Sequence, residues 1–519
     1  MSLSNLKRST VFLSLVICLV LIALSAWKWQ EFVVDDAYIG FKCIRNFLAG
    51  DGMVFETGFK VEAVTNIGWL LFVSPLARFF EVSQAVRLAG LLSLLFCLVL
   101  LLHLAKKLDT RPQSGGGVAF FVLLVPLVVF SEPSLVYFSL SGMETAFLAS
   151  VLLAAALLFE KTGRFEPLAV LAAFAYLIRP ECILFFPAVI AFSMFSREFS
   201  FRSRLSGLFV WALIIFGITL VRYRVFGMLF PHTFYAKPAA FFQVLFSFFK
   251  LLAGKAINAG FPFSGFPSLF LMILGAVSLL RQKPQLAVVI SAGAAVGTFF
   301  AMYSPDDWTR MPRYFAPYVP LAAILLFAGL QAIINEAPEK WKKSANLFLL
   351  VFFLIILADL HLEQIRTLAD NSANEYPGYV LTTRNLKAAA DEIAEMTVAE
   401  DTLATRRIGL VGFTASCRIF DFVFGLPDPE VVQARIRAGG GYFDNPLDPG
   451  LAELWQKRRP RFFLEDRSKI MLNCSRPGDD IEFSRSGISR LNLHGIVYRE
   501  VKSWKIGNNE DWVLLEASN

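Results

Sequence analysis

Histidine and cysteine are scarce in this sequence, which has four histidines and six cysteines among 519 residues. No two cysteines have the Cys-x-x-Cys spacing, and no group of His and Cys clusters along the chain. A structural zinc site needs four such ligands close together, so a zinc-binding module is excluded. Four cysteines lie in or beside apolar segments, where cysteine usually acts as a small buried apolar residue: Cys18, Cys43, Cys97 and Cys182.

Charge is also sparse. Charged residues make up 18% of the chain, whereas apolar residues make up 56%. This balance is too apolar for a single soluble globule, because soluble chains average about 25% charged residues. The net charge of +7 comes from short basic clusters between apolar runs, which is typical of the cytoplasmic loops of membrane proteins. The clustering argues against a nucleic-acid partner, since such binding needs a basic stripe or patch.

What the sequence has in abundance is apolar runs of about 17–25 residues, each long enough to cross a bilayer. The first follows Lys7 and Arg8 without a small-residue cleavage site, so we interpret it as an uncleaved helix. Six basic clusters flank the runs: Lys7/Arg8, Lys106/Lys107/Arg111, Lys161/Arg164, Arg197/Arg202/Arg204, Arg281/Lys283 and Lys340/Lys342/Lys343. Placing all six in the cytoplasm predicts a polytopic α-helical membrane protein with about eleven transmembrane helices. The predicted spans are 9–27, 85–105, 117–131, 143–160, 167–178, 181–196, 206–222, 262–281, 285–302, 314–332 and 344–361.

The short run 66–80 is predicted not to cross. It is interrupted by Pro75, and we interpret it as a re-entrant or interfacial helix on the outer side. With this topology the unusual polar stretches all fall on the extracytoplasmic side of the cell membrane. They surround Asp35-Asp36, Glu144, Arg179 with Glu181, and the segments 231–237 and 304–315.

The chain changes character after about residue 361, so we predict a transmembrane catalytic domain over 1–361 and a soluble α/β domain over 362–519. The stretch TTRNLKAAADEIAEM has apolar residues at helical spacing and predicts an amphipathic helix. Four stretches between turn residues predict strands: RRIGLVGFT, RPRFFLED, GIVYREVKSW and DWVLLEA. This domain is predicted to be extracytoplasmic and to hold the acceptor, and there Cys417 and Cys474 could form a disulfide.

Two adjacent aspartates, Asp35 and Asp36, follow the first span. One interpretation is a helix cap, because Asp is a favoured N-cap and DAYIGFKCIRNFLAG predicts an amphipathic helix closed by Gly50. A cap needs only one aspartate, and a second carboxylate beside the bilayer is costly unless it is solvated, paired or used. The second interpretation is catalysis, because a carboxylate with a raised pKa can take a proton from a sugar hydroxyl.

If the sugar donor were a lipid-phosphate sugar, its leaving phosphate would need cationic partners. Three basic residues on the outer side are candidates: Arg179, Lys237 and Arg310. Each also has a structural interpretation. Arg179 could pair with Glu181 or Glu144, whereas Lys237 and Arg310 could extend to lipid headgroups.

The remaining outer polar and aromatic residues form the predicted substrate cavity: Glu144, Glu181, His232, Tyr235, Asp307 and Trp308. His232 is alternatively a hydrogen-bonded loop residue, and the aromatic rings could belong to the interfacial belt. Asp306-Asp307 could cap a helix or pair with Arg310. Asp36 and Asp307 could also hold a divalent cation, since oxygen ligands suit Mg²⁺, Ca²⁺ or Mn²⁺.

The motifs taken together, in this order, resemble those of the GT-C glycosyltransferases. They are Asp35-Asp36, VEAVTNIGW, SGMETA, IRPE, HTFYAK and DDWTRMPRYFAP, continued by IGLVGFTASCRIFDFVFGLPDPEV in the C-terminal part. Within that superfamily the chain is most similar to the mycobacterial terminal arabinofuranosyltransferases and their bacterial relatives. It departs from their motifs at Ala63-Val64 and at Ser304-Pro305, so the resemblance implies the reaction class more firmly than the sugar.

The resemblance implies an inverting membrane enzyme that moves a sugar from a polyprenyl-phosphate donor to a glycan or glycolipid acceptor. Its base would be an acidic residue of the first outer loop, here Asp35 or Asp36, with Asp35 slightly favoured.

Two other protein classes stay open. A transporter or flippase of lipid-linked saccharides would need charged residues deep within spans, or inverted repeats with broken helices. A non-catalytic envelope assembly protein would tolerate Asn at both Asp35 and Asp36.

Overall fold

The structure is a computed structural model. It describes residues 3–30, 32–108, 118–232, 266–303, 313–336, 338, 377–437, 445–474, 481–484, 487–506 and 511–518. Its contacts divide the chain into two compact units. We call Met1–Gln30, Gln84–Ile218 and Ala239–Arg366 the membrane unit, and Glu31–Ser83, Thr219–Pro238 and Thr367–Asn519 the mixed unit. The mixed unit therefore combines an early and a central segment with the C-terminal region. The sequence, by contrast, predicts a single domain boundary between residues 361 and 362.

The membrane unit is built from apolar helices. Within the described residues, six helices are long and apolar enough to cross a membrane: Val11–Lys28, Val82–Leu108, Thr145–Thr162, Phe201–Phe226, Pro284–Met302 and Ala316–Glu336. Shorter apolar helices cover Phe165–Ile178, Pro180–Ser193 and Pro267–Gln282. Ten of the predicted spans overlap described helices, and the eleventh, 344–361, lies outside the described residues. The chain is a multi-pass membrane protein.

One span continues further than predicted. The helix Val118–Ser131 is followed by a second helix, Pro133–Leu140, and the apolar pair Leu123–Ser131 and Pro133–Leu140 bends by 58°. Pro133 lacks a backbone N–H and stands at the start of the second helix, where that loss is tolerated. Glu132 is its N-cap, with its side chain accepting a bond from the Ser134 N–H.

Close backbone contact holds two of these helices together. A Cβ atom added at Gly275 would overlap the carbonyl of Leu325, and one added at Gly329 would overlap the carbonyl of Leu271. Glycine at both positions therefore lets the helices Phe266–Gln282 and Val319–Glu336 approach closely, as small residues do in membrane proteins.

The early part of the mixed unit contains the predicted amphipathic helix, which runs from Asp35 to Ala49. It ends as predicted at Gly50, which adopts the left-handed conformation with φ 96°. The run 66–80 forms the helix Ile67–Val73 and a 3-10 turn Leu76–Arg78. This helix is too short to cross a bilayer, which agrees with the prediction, and its interfacial placement stays a prediction.

The C-terminal part of the mixed unit begins with the predicted amphipathic helix, Pro377–Met396. Its buried residues recur at helical spacing: Leu386, Ala389, Ala390 and Ile393. Further helices cover Leu410–Thr414, Pro429–Arg437, Ala452–Arg458 and Arg467–Cys474.

Among the residues that the structure describes, seven strands form one mixed sheet in the order β2-β1-β3-β7-β6-β5-β4. They are β1 Thr402–Thr405, β2 Arg418–Phe420, β3 Phe462–Asp466, β4 Ile481–Ser484, β5 Gly487–Leu493, β6 Ile496–Lys505 and β7 Asp511–Ala517. Strand β1 pairs in parallel with β2 and β3, and the other pairs are antiparallel. The predicted α/β architecture is confirmed.

Three of the four predicted strands are present as β3, β6 and β7, but the stretch RRIGLVGFT is not a strand. Its apolar residues start the helix Leu410–Thr414, and the strand of this region is β1, which precedes it. A short apolar run does not distinguish a buried strand from a buried helix, which explains the wrong prediction. Cys417 is a buried free thiol, so the structure does not form the Cys417–Cys474 disulfide.

Candidate active site

Asp35 and Asp36 occupy the first turn of the helix Asp35–Ala49, while Val34 takes the N-cap position. The capping interpretation of the aspartate pair is therefore wrong for the N-cap itself. Both carboxylates lie at the positive end of the helix dipole, which favours negative charge there. Both are partly exposed, so they are accessible for chemistry while lying against protein.

The Asp35 carboxylate has its partners in a C-terminal segment of the mixed unit. The backbone N–H of Leu410 donates a hydrogen bond of 2.8 Å to Oδ1 of Asp35. The neighbouring Gly409 lies so close that a Cβ atom there would overlap the carbonyl and carboxyl groups of Asp35. Only glycine fits at position 409 without displacing the carboxylate.

The electrostatics of Asp35 combine opposing effects. Burial raises the pKa of the Asp35 carboxyl, and the adjacent Asp36 charge raises it further. The positive charge of Arg407 and the hydrogen bond from Leu410 lower that pKa, but burial dominates. A carboxylate with a raised pKa is a better proton acceptor than an ordinary aspartate, which suits a general base.

A buried ion pair joins two distant segments of the mixed unit. Arg222 donates to both carboxylate oxygens of Glu62, with Nε–Oε2 at 2.6 Å and Nη2–Oε1 at 3.1 Å. Glu62 is 1% exposed and Arg222 is 6% exposed. Burial raises the pKa of Glu62, and the bonds from Arg222 counteract that rise. The two-point geometry fixes the loop that carries Glu62 against the end of the helix Phe201–Phe226.

His232 lies beside this pair and is almost fully buried. Its backbone N–H donates to the carbonyl of Glu62 at 3.3 Å. Among the described residues, neither ring nitrogen of His232 has a hydrogen-bond partner. Burial lowers the pKa of His232 to about 4, so the ring is neutral at physiological pH. It could donate or accept a hydrogen bond, but it does not supply positive charge for a phosphate.

The membrane unit contains a separate charged cluster centred on Arg179. Its Nε atom lies 2.5 Å from Oε1 of Glu181, and its Nη1 atom lies 3.6 Å from Oε1 of Glu144. All three side chains are buried. The guanidinium also lies over the ring of Tyr314, 5.3 Å from its centroid. The structural interpretation offered Glu181 or Glu144 as the partner of Arg179, and the structure shows an ion pair with each.

This cluster has a phenolic neighbour contributed by the Ala316–Glu336 span. The hydroxyl of Tyr318 lies 3.4 Å from Sγ of Cys182, and both residues are fully buried.

A second arginine lies nearby, because the guanidinium of Arg313 is 5.7 Å from the centroid of the same Tyr314 ring and its charge acts on Arg179. The two arginines formally balance Glu181 and Glu144. A bound anion would therefore compete with these carboxylates for Arg179.

The predicted catalytic, phosphate-binding and cavity residues fall into three sets. The mixed unit contains Asp35, Asp36 and His232, and the membrane unit contains Arg179, Glu144 and Glu181. Five predicted residues lie outside the described residues: Tyr235, Lys237, Asp307, Trp308 and Arg310. In the part of the chain that the structure describes, no three His, Cys, Asp or Glu side chains are grouped to hold a metal ion. The proposed partner of Asp36 in such a site, Asp307, is not among those residues.

Sequence reasoning missed the C-terminal partners of Asp35, which are Arg407, Gly409 and Leu410. The stretch IGLVGFT was identified as part of the resemblance, but its backbone contact with Asp35 spans 375 positions and leaves no local signal. The pair Glu62–Arg222 was missed for the same reason, since 160 positions separate its members.

Glu132 was missed as well. It is 1% exposed at the bend between two apolar helices, where its Oε1 atom accepts bonds from the N–H and hydroxyl groups of Ser134. A lone acidic residue between apolar runs is a signal that could have found it.

Comparison with known proteins supports the resemblance that the motifs indicate. No family model matches the chain. It is 27% identical over 251 residues to the terminal β-(1→2)-arabinofuranosyltransferase of Mycobacterium tuberculosis. The match covers 45% of this chain and 39% of that relative, so it spans about two fifths of the relative's length.

Solved structures match along almost the whole chain. ArnT from Cupriavidus metallidurans bound to undecaprenyl phosphate has a TM-score of 0.55 at 13% identity, covering 97% of both chains. Its apo state has a TM-score of 0.54, also at 13% identity, over 98% of both chains. The oligosaccharyltransferase of Archaeoglobus fulgidus, tethered with an acceptor peptide, has a TM-score of 0.51 at 12% identity. This match covers 93% of the present chain and 73% of the oligosaccharyltransferase chain. The chain has the GT-C fold and resembles glycosyltransferases of that type.

Proposed function

We propose that this protein is an inverting glycosyltransferase that moves a sugar from a polyprenyl-phosphate donor to a glycan or glycolipid acceptor. The observation that carries the proposal is the Asp35 carboxylate, which is partly buried, has a raised pKa and stays accessible at a helix start. The likeness in fold to a protein bound to undecaprenyl phosphate supports the class of donor.

The proposed reaction needs one proton acceptor and one leaving group. Asp35 takes the proton of an acceptor hydroxyl while that oxygen attacks the anomeric carbon of the donor sugar. The bond between that carbon and the phosphate oxygen breaks, and the electron pair leaves with the polyprenyl phosphate. Because attack and departure occur on opposite faces, the configuration at the anomeric carbon inverts.

The other predicted residues receive supporting roles in this proposal. Arg179, Lys237 and Arg310 would neutralise the departing phosphate, and Glu144, Glu181, His232, Tyr235, Asp307 and Trp308 would line the substrate cavity. Arg179 is already shared by two carboxylates, so its contribution would require that one pairing loosens when the phosphate binds. A divalent cation held by Asp36 and Asp307 stays part of the proposal as a requirement to be tested.

The finer parts of the proposal concern sidedness and sugar. The basic clusters support an extracytoplasmic active site, with residues 362–519 contributing to acceptor binding. The name of the curated relative makes arabinofuranose the first sugar to test, and a cell-envelope glycan the first acceptor.

The test is sugar transfer by the purified protein, with a panel of radiolabelled polyprenyl-phosphate sugars and with or without a chelator. Asp35→Asn should lower kcat by about 100- to 10,000-fold, the usual contribution of a general base. Asp51→Asn is the matched control, because Asp51 is exposed just beyond the same helix. Full activity of both Asp35→Asn and Asp36→Asn would reject the proposal in favour of an assembly protein. Donor movement across a vesicle without sugar transfer would favour a flippase.

A further inference from the structure

The segment from Arg406 to Leu410 contacts Asp35 at one end and is anchored in the C-terminal sheet at the other. At its start, Nε of Arg406 donates to Oε2 of Glu465 on β3 at 2.6 Å, and the Glu465 side chain is fully buried. Next, the guanidinium of Arg407 lies 5.0 Å from the ring centroid of Trp512 on β7. Two neighbouring strands therefore fix the position of two successive arginines.

Just beyond the segment, the helix Leu410–Thr414 packs on the helix that carries Asp35. Phe413, in the helix Leu410–Thr414, packs on Tyr38 and Phe41 with ring centroids 5.6 Å and 6.1 Å apart. The guanidinium of Arg45 covers the same ring at 4.8 Å. Because aromatic contacts of this kind are directional, the helix start that carries Leu410 is held in register with Asp35.

We propose that the segment Arg406–Leu410 positions Asp35 for catalysis: Arg407 supplies its counter-charge, while Gly409 and Leu410 hold its orientation. This inference rests on the proposed function, in which Asp35 is the base. Arg407, Gly409 and Leu410 are positioning residues, since they act on the substrate only through Asp35. The C-terminal part of the chain is then a component of the catalytic centre as well as a candidate acceptor-binding region.

The charged groups around Asp35 determine the pH at which it loses its proton, and therefore which substitution should change a pH profile. Asp36 acts on it from the same helix, and Arg407 acts on it from the C-terminal segment. Further along the helix, Lys42 is engaged by Glu56 at 2.7 Å. Arg407 is therefore the positive charge whose removal should change the protonation of Asp35 most directly.

The first experiment is the pH dependence of kcat/KM for Arg407→Gln in the full-length protein. Without its counter-charge, Asp35 should hold its proton to higher pH. The acidic limb of the profile of kcat/KM against pH should therefore shift to higher pH. We expect about tenfold lower kcat/KM at pH 7, which is the order of one lost charge-assisted interaction. Arg407→Lys should restore most of the activity, because it keeps the charge.

Arg418→Gln is the matched control for charge removal, since Arg418 is exposed on β2 of the same sheet. Its profile should follow the parent protein. An unchanged acidic limb in Arg407→Gln, together with an inactive Asp35→Asn, would overturn this inference while leaving the proposed function intact. Full activity of Asp35→Asn would instead remove the proposed function on which it rests.

A second variant tests orientation without changing charge. Gly409→Ala should lower kcat by about tenfold to 100-fold with little change in donor KM, because a small displacement of a catalytic group is costly. Gly217→Ala is the control, as an added Cβ there meets nothing within 4 Å. A melting temperature equal to that of the parent would show that Gly409→Ala is folded. Parental kcat in folded Gly409→Ala would contradict the positioning role.

Discussion

The polar clusters of the two units are assembled from the chain in different ways. In the membrane unit, Arg179 pairs with Glu181 two positions later and with Glu144 35 positions earlier. In the mixed unit, Glu62 meets Arg222 across 160 positions, and Asp35 meets Leu410 across 375 positions. Glu144, Arg179 and Glu181 come from two neighbouring motifs, and the ring of Tyr314 comes from a more distant segment. Each contact of the mixed unit instead joins segments far apart in the chain.

The two clusters also differ in how charge is balanced. Arg179 is shared by two buried carboxylates, and Arg313 adds a second positive charge beside it, so the formal charges of this group balance. Among the described residues, Asp35 receives the backbone N–H of Leu410 and the field of Arg407, and burial still raises its pKa. A carboxylate whose negative charge is only partly neutralised by its neighbours is suited to accept a proton. An ion-pair network in which every charge has a partner is suited to stabilise the fold, or to exchange one of its partners for a ligand.

The largest effect should come from breaking the distant pair Glu62–Arg222. Arg222→Leu leaves Glu62 buried without its partner and should lower the free energy of unfolding by about 3–5 kcal/mol. Chemical denaturation in detergent would measure this loss. The double variant with Glu62→Leu should recover most of the stability, because an apolar pair replaces an ion pair at little cost.

The control for this prediction is the exposed pair Arg490–Glu482, whose side chains are 44% and 60% exposed. Arg490→Leu should change the free energy of unfolding by less than about 1 kcal/mol. If Arg222→Leu were no more destabilising than Arg490→Leu, the prediction that the buried pair Glu62–Arg222 stabilises the mixed unit would be wrong.

A smaller effect should appear at Asp421, a fully buried carboxylate that accepts backbone N–H bonds from Val423, Phe424 and Leu426. Burial raises the pKa of Asp421 from 3.8 to about 6 in the folded state. Since the folded state binds this proton more tightly, its contribution is full below pH 4 and is lost as pH rises through 6. The loss should be about 3 kcal/mol, at 1.36 kcal/mol per unit.

The measurement is the free energy of unfolding from pH 4 to 8 for the parent and for Asp421→Asn, which cannot titrate. The free energy of unfolding of the parent relative to that of Asp421→Asn should fall as the pH rises from 4 to 8. Asp448→Asn is the control, since Asp448 also accepts a backbone N–H, from Gly450, but is partly exposed. Parallel curves for the parent and Asp421→Asn would contradict the prediction.

The smallest of these effects should arise within the membrane cluster. Glu181→Gln removes the carboxylate closest to Arg179, but Arg179 keeps Glu144 and the ring of Tyr314. We expect a loss of about 2 kcal/mol, the order of one hydrogen bond to a charged group. Glu144→Gln, at 3.6 Å instead of 2.5 Å, should cost less. Equal melting temperatures for the two variants would show that the geometry does not rank the carboxylates.

Much of the fold follows from patterns within short windows of the sequence. Long apolar runs predict the spans, because a bilayer core requires about 20 apolar residues whatever the neighbours are. Local apolar periodicity and flanking turn residues likewise predicted five further elements. They are the helix Asp35–Ala49 with its Gly50 ending, the helix Pro377–Met396 and strands β3, β6 and β7. The helix Leu410–Thr414 was not, since its apolar residues satisfy the pattern of a buried strand equally well.

The sequence by itself therefore determined the membrane class, the GT-C resemblance and the chemical types available for catalysis, including the aspartate pair. Only the tertiary structure decided that Asp35 contacts Gly409 and Leu410 and lies in the field of Arg407. It also decided that Glu62 meets Arg222. The physical reason is that helices and spans depend on interactions within a few residues. The pKa and orientation of a carboxylate depend instead on burial and on charges from segments far apart in the chain.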